Sequence, residues 1–167
     1  ASAVGYYVGT INQFRGCSAV GNSAGYQNQS GGCTAIGQSA GKYDQGESST
    51  AVGGGAGSYL QGKKSVAVGV SAGAREQGDQ TVSVGEKAGY ETQGIGSIAI
   101  GCMAGYNYQG DNSIAIGKQA GEFGLPNNNI MLNATGTTLS SNINDALFIK
   151  PIRNSNNSQY LLYDVAS

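Results

Sequence analysis

Short aliphatic clusters recur along the chain at a constant interval: Val-Ala-Val at 66–68, Val-Ser-Val at 82–84, Ile-Ala-Ile at 98–100 and Ile-Ala-Ile again at 114–116. Each follows a serine or threonine and is closed by a glycine. Within a cluster, β-branched and small residues alternate, which is the two-residue period of a strand. The interval between clusters is sixteen residues, whereas a helical repeat needs roughly 33–47 for two or three helices. The pattern therefore predicts short strands separated by turns.

Glycine sets the phase. Gly5, Gly21, Gly37, Gly53, Gly69, Gly85, Gly101 and Gly117 form one column, and a second runs four residues behind it from Gly9 to Gly121. An alanine column (Ala24, Ala40, Ala56, Ala72, Ala88, Ala104, Ala120, with Val8 in the first copy) stands between them. A glutamine column runs from Gln13 through Gln29, Gln45, Gln61, Gln77, Gln93 and Gln109, and Leu125 ends it. Eight copies fill residues 1–128. The glycines mark places where the backbone turns or approaches another backbone closely.

Each copy predicts one coil of an all-β, parallel β-solenoid: a strand at Ser-Ile-Ala-Ile-Gly, a turn, a second extended piece near Ala-Gly-Tyr-x-x-Gln, and another turn. Coils stacked at about 4.8 Å would give a rod on the order of 40 Å long. Stacking places identical residues above one another. Val20, Ile36, Val52, Val68, Val84, Ile100 and Ile116 then interlock as β-branched rows, and the glutamines form an amide ladder. Alanine and glycine fall where only a methyl or a hydrogen fits.

Such a coil offers few large side chains, so a lone rod has little apolar burial to set against the entropy of ordering its backbone. The Val/Ile positions point to one side of the strand and the intervening alanine and glycine to the other. Whichever set fills the coil, the other needs a partner surface. The small residues suit several backbones meeting at an axis. A homo-oligomer is expected, with a trimer the simplest closed bundle; the alternative is a monomeric two-faced solenoid.

Composition changes this picture little. The chain has 29 glycines, 2 prolines and a net charge of −1, so the signature of disorder, low hydrophobicity with high charge, is only half met. Neither sign of charge clusters, which argues against a nucleic-acid groove or an acidic-lipid patch. No apolar run approaches the ~20 residues that span a bilayer. The chain starts at Ala1 without Met or a signal-type apolar stretch, the expectation for a processed or excised segment.

Chemistry is sparse. With no histidine and only Cys17, Cys33 and Cys102, zinc sites and Ser-His-Asp triads are not expected, and no cofactor is implied. Cys17 and Cys33 lie one repeat apart. That spacing permits a disulfide but with strained, parallel side-chain directions; the simpler reading is two small apolar residues at a Ser/Thr position. Carboxylate pairs such as Asp44 with Glu76, or Glu47 with Asp79, fall two repeats and ~10 Å apart, too far for most shared-proton chemistry. Gly-Gly-Gly-Ala-Gly at 53–57 lacks the Lys-Ser/Thr of a phosphate loop and sits on the repeat's own glycine columns. No regular aspartate column suggests calcium. The expectation is a protein that is not an enzyme. Three N-glycosylation triplets begin at Asn28, Asn133 and Asn156. For recognition, the candidates are Tyr26, Tyr43, Tyr59, Tyr90, Tyr106 and Tyr108, at or beside the turn after the second glycine. Tyrosine gives broad, rigid contact area with a polar tip; the alternative is that these rings cover coil edges or pack between chains.

The phrases Ser-Val-Ala-Val-Gly-Val-Ser-Ala-Gly-Ala (65–74), Ser-Ile-Ala-Ile-Gly-Cys-Met-Ala-Gly-Tyr (97–106) and Ser-Ile-Ala-Ile-Gly-Lys-Gln-Ala-Gly-Glu (113–122) resemble the head repeats of YadA-like trimeric autotransporter adhesins. They also resemble glycine-rich repeats in fibre proteins of large DNA viruses and phages. The resemblance covers about 1–128. It implies a left-handed β-roll, three chains to a head, and an extracellular or virion-surface location. The bacterial repeat is nearer fourteen residues and lacks the persistent Ala-Gly-Tyr-x-x-Gln-Gly half, so the longer unit is closer to the viral versions. A shared fold does not transfer a receptor.

Beyond the eighth copy, 129–136 keeps the strand with Met131 for alanine and Asn133 for glycine, as expected of a degenerate capping coil. Residues 137–167 are expected to form a strand-turn-strand cap or trimerisation segment, with strands at 146–153 and 160–165 about a hairpin turn. This tail also resembles segments that follow the repeats in viral fibre proteins. The leading expectation is a rigid trimeric fibre segment in host-cell attachment, its partners being copies of itself and a host glycan or protein. The alternatives are a purely structural capsid or appendage component, and a solenoid binding ice or a polymer. The last is disfavoured because Thr34 and Thr50 give way to Val66 and Ile98.

Overall fold

The structure, a computed structural model, describes residues 1–152. Two parallel sheets face one another across a narrow lumen. One has ten strands, running from Ser2–Val4 to Leu147–Lys150; the other has seven, from Ile11–Gln13 to Tyr108–Gln109. Every strand pairs with its equivalent one repeat away, Ala19 with Ala35 and Ala35 with Ala51. The result is a β-solenoid of about nine turns, and there is no helix among the described residues.

The strands are mostly three residues long because glycine and left-handed corners interrupt them. Ser23, Ser39, Ser71, Lys87 and Met103, one per coil at the same position, hold φ between 54° and 57°. A side chain in that region costs on the order of 1 kcal/mol. The coils above and below hold each corner in place through bonds such as Ser39 N–H to the Asn22 carbonyl, 2.8 Å.

The core corrects the expectation about faces. Ala19, Ala35, Ala51, Ala67, Ala99 and Ala115 point inward from one sheet and Ala24, Ala40, Ala56, Ala72, Ala88 and Ala104 from the corner opposite, all fully buried. Val20, Ile36, Ile100 and Ile116 point out. The small residues fill the coil and do not meet other chains at an axis. A sixteen-residue circuit is too short to part its two walls by the ~10 Å that large packed side chains need, so methyl groups line it.

Glutamine completes the lumen. Gln29 donates to Gln45 Oε1 at 2.7 Å and Gln77 to Gln93 Oε1 at 3.2 Å, segments of the expected ladder. Equally important are bonds across the roll, from Gln45 to the Thr34 carbonyl (2.9 Å), Gln61 to Thr50 (2.9 Å) and Gln109 to Ile98 (2.7 Å). Each amide thus braces the second sheet against the first. The Gln61 and Gln77 Oε1 atoms are buried without a partner among the described residues, so the ladder is discontinuous there. Replacing Gln109 by alanine is expected to cost about 3 kcal/mol, from a cavity plus the loss of the amide's bonds to the Ile98 and Ser113 carbonyls. Leucine, which already stands in this column at Leu125, should cost less. Chemical denaturation of the two variants checks that order.

The roll does not stop at the eighth copy. Ile130–Asn133 stacks in register on Ile114–Ile116, and Leu147–Lys150 stacks in parallel on Ile130–Asn133. The side chains in the alanine column grow from Ala115 to Met131 and then Phe148. Within the segment expected at 146–153, Leu147–Lys150 therefore contributes a further parallel strand, where a hairpin arm was expected; Arg153 and the expected partner at 160–165 lie outside the described residues. At the other end, Val4, Tyr6 and Phe14 of the first coil are exposed.

Candidate functional site

Two surfaces with opposite chemistry stand out on the rod. The first is the outer face of the ten-stranded sheet. Val20, Ile36, Val52, Val68, Val84, Ile100 and Ile116 form one row, and Ser18, Thr34, Thr50, Val66, Val82, Ile98 and Ile114 form the row beside it. Neither row contains a charged residue. Stacking neighbours cover much of each side chain, yet Ile36 and Ile100 keep 43% and 38% of their surface. Nine coils at ~4.8 Å and a width near 10 Å give a patch on the order of 400 Å², the size of the largest apolar patch on a typical monomer, which is often a functional surface.

The second surface lies around the seven-stranded sheet. Successive rings run along the rod there: Tyr7 against Tyr26 (centroids 6.4 Å apart, edge-on), Tyr26 against Tyr43 (6.0 Å, edge-on) and Tyr43 against Tyr59 (5.1 Å, stacked). After a coil without tyrosine, Tyr90 stacks on Tyr106 at 5.1 Å and 7°. Arg75 fills the gap, its guanidinium 5.6 Å from the Tyr90 centroid and 3.2 Å from Glu91 Oε1. Lys42 Nζ lies 5.0 Å from the Tyr43 centroid, and an open groove is lined by Tyr7, Ser23, Tyr26, Lys42 and Tyr43.

Five of the six tyrosines singled out in the sequence therefore fall in one interrupted stripe. Tyr108 stands exposed and apart from it. Tyr7 belongs to the stripe from another repeat position, whereas Lys42 stands in the column of Tyr26, Tyr90 and Tyr106, and Arg75 in the column of Tyr43 and Tyr59; a search of those columns for tyrosine alone passes over both cations. In Tyr43–Tyr59 and Tyr90–Tyr106 one face of each ring is turned toward its partner, and Tyr59 still keeps about half of its surface. Cutting Tyr43 to alanine is expected to cost no more than about 1.5 kcal/mol, from lost ring contacts at a half-exposed site. A urea midpoint measures it.

The carboxylates serve the coil edges. Asp44 Oδ1 accepts from Asn28 Nδ2 at 2.8 Å, Asp79 Oδ1 accepts the Lys63 N–H at 2.8 Å, and Asp111 Oδ1 accepts the Ile95 N–H at 2.8 Å. No group of three or more His, Cys, Asp and Glu residues gathers among the described residues. Of the glycosylation triplets, Asn133 is buried with its Nδ2 donating to the Lys118 and Thr137 carbonyls, so the folded roll withholds it. Asn28 lends its amide to the edge ladder, and Asn156 lies outside the described residues. The three thiols are free.

Comparison with known proteins adds no identification: no family model, no curated protein and no solved structure matches this chain.

Proposed function

We propose that the chain is a non-enzymatic, rigid segment of a surface fibre, held as a homotrimer by its aliphatic face and used in host-cell attachment through its tyrosine-bearing side. The observation that carries the reading is the contrast between a charge-free aliphatic face on one sheet and a polar, aromatic stripe around the other. Three rods that turn their aliphatic faces to a common axis bury what water disfavours and leave three tyrosine stripes outermost. Attachment then works by multivalency: weak contacts repeated three times per fibre, and on many fibres, sum to firm adhesion. The axis-facing residues are the Val/Ile rows, not the alanines, since the alanines are spent inside the coil.

The resemblance to YadA-like heads and viral fibre repeats supports the left-handed winding of eight sixteen-residue coils and the extracellular or virion-surface setting. The partners of this reading are two further copies of the chain and a host surface glycan or protein, with no nucleic acid, membrane insertion or cofactor. The test is mass in solution followed by binding. The reading expects roughly three times 16.9 kDa and capture of a glycan or of host cells that weakens when Tyr26 and Tyr43 become alanine. A stable monomer at micromolar concentration overturns the assembly.

A second reading, a purely structural fibre or capsid component, draws support from the two stacked tyrosine pairs, in which one face of each ring is taken up by its partner. A trimer that binds neither glycans nor cells, and that sits inside a particle shell, would favour it.

A further inference from the structure

Cys17 and Cys33 occupy one column on consecutive coils, and both side chains point into the lumen with at most 1% exposure. The strands they lead into pair in register, Ser18 opposite Thr34, with the Ser18 N–H donating to the Cys33 carbonyl at 2.9 Å. Their Cα atoms are thus about one strand spacing apart, ~4.8 Å, inside the roughly 4.4–6.8 Å that disulfides span. Side chains in this column already meet across coils, since Ser49 Oγ lies 3.8 Å from Cys33 Sγ.

Hydrogen bonding does not require sulfur here. Cys17 donates to the Ser30 carbonyl (2.8 Å) and Cys33 to the Gly46 carbonyl (2.9 Å). The hydroxyls of Ser49, Ser97 and Ser113, farther along the same column, make comparable bonds to Gly46, Gly94 and Gly110. Two adjacent thiols in a column that carries hydroxyls from Ser49 to Ser113, in register and facing the same space, form a pair with redox chemistry open to it. Burial pushes the Cys33 thiol up from its ordinary value, so in the closed roll it stays protonated and slow to react. The first coil is exposed throughout its strand, and opening of this end gives access to the second.

We propose that Cys17 and Cys33 are a convertible staple: free thiols in the reduced roll, joined as a coil-to-coil disulfide by exchange with a small-molecule disulfide. When the end coils open, the Cys17 thiolate attacks that disulfide, forming a mixed disulfide and releasing one small thiol. The Cys33 thiolate then attacks the Cys17 sulfur and releases the second. Two electrons pass from the cysteine pair to the small disulfide, and the two protons leave with the released thiols. The bond closes a loop of roughly 15 residues and ties the second coil to the third, next to the exposed end.

The test incubates the full chain with oxidised glutathione at a temperature just below its unfolding midpoint, then alkylates free thiols and maps peptides. The expected result is a Cys17–Cys33 linked peptide, an alkylated Cys102, a mass lower by two hydrogens, and a midpoint raised by roughly 5 °C that dithiothreitol reverses. Cys33→Ser, which restores the column's usual hydroxyl, should fold normally and show no such shift. Alkylation of both cysteines after prolonged oxidation overturns the proposal. So does pairing of either with Cys102 or with another chain, or a linked product that melts lower.

Discussion

Replacing Gly69 by alanine is expected to abolish folding or lower stability by about 4 kcal/mol or more, while the same change at Gly54, only fifteen residues earlier, should be nearly silent. At Gly69 the backbone has φ 130°, and an added Cβ would stand 2.6 Å from the Gly85 carbonyl oxygen and 2.7 Å from its carbon. Both obstacles are main chain. The Gly85 carbonyl cannot swing away, because Gly85 is itself held from below by its N–H bond to the Val68 carbonyl at 2.8 Å, and the coils repeat every strand spacing. A methyl there must therefore push two coils apart. Gly54 has nothing within 4 Å of the same added atom and needs no left-handed backbone; alanine there removes only unfolded-state freedom, worth a few tenths of a kcal/mol in favour of folding. Urea denaturation of both variants decides it: similar midpoints would mean that the coils do not approach as closely as the glycine column requires.

These two glycines also show where the sequence is informative. Gly69 belongs to a column that recurs every sixteen residues, and Gly54 does not, so the repeat alone separates a required glycine from an incidental one. Period, strand positions and parallel register were legible for the same reason: a stacked fold repeats its constraints in each coil. The direction of the faces was not. Alternation in Ser-Ile-Ala-Ile-Gly says that alanine and isoleucine lie on opposite sides, but which side is the lumen depends on the width of the circuit, a property of the closed coil. Habit places isoleucine inside; the short circuit admits alanine. The tyrosine stripe was half legible. Tyr26, Tyr43 and Tyr59 share a neighbourhood in the repeat, and Arg75 stands in the column of Tyr43 and Tyr59, but its residue type does not announce that its guanidinium lies 5.6 Å from the Tyr90 ring of the next coil. Leu147–Lys150 was recognised as a strand by its apolar run, but its parallel pairing with Ile130–Asn133 is a long-range contact without a glycine phase to announce it.

Introducing lysine at Ile100 is expected to convert the proposed trimer to monomers while leaving each rod folded. Ile100 keeps 38% of its surface in the single chain, so a lysine there directs its ammonium to water, and the intrinsic cost to one rod stays below about 1 kcal/mol. Around a three-fold axis the same change sets three ammonium groups at one level, between rows formed by Val84 and Ile116 above and below and Ile98 alongside. Their mutual repulsion and desolvation amount to several kcal/mol, enough to weaken association a thousandfold or more. The rows also change along the rod: Ser18, Thr34 and Thr50 hold the adjacent column in the N-terminal half, and Val66, Val82, Ile98 and Ile114 hold it thereafter. Lysine at Thr34 should accordingly disturb assembly less than lysine at Ile100, and lysine at Tyr59, on the other sheet, should leave the mass unchanged. Sedimentation equilibrium of the three variants beside the unaltered chain gives the answer. If all four have the same mass, whether one copy or three, the aliphatic face is not what joins the rods, and the three-fold fibre loses its axis.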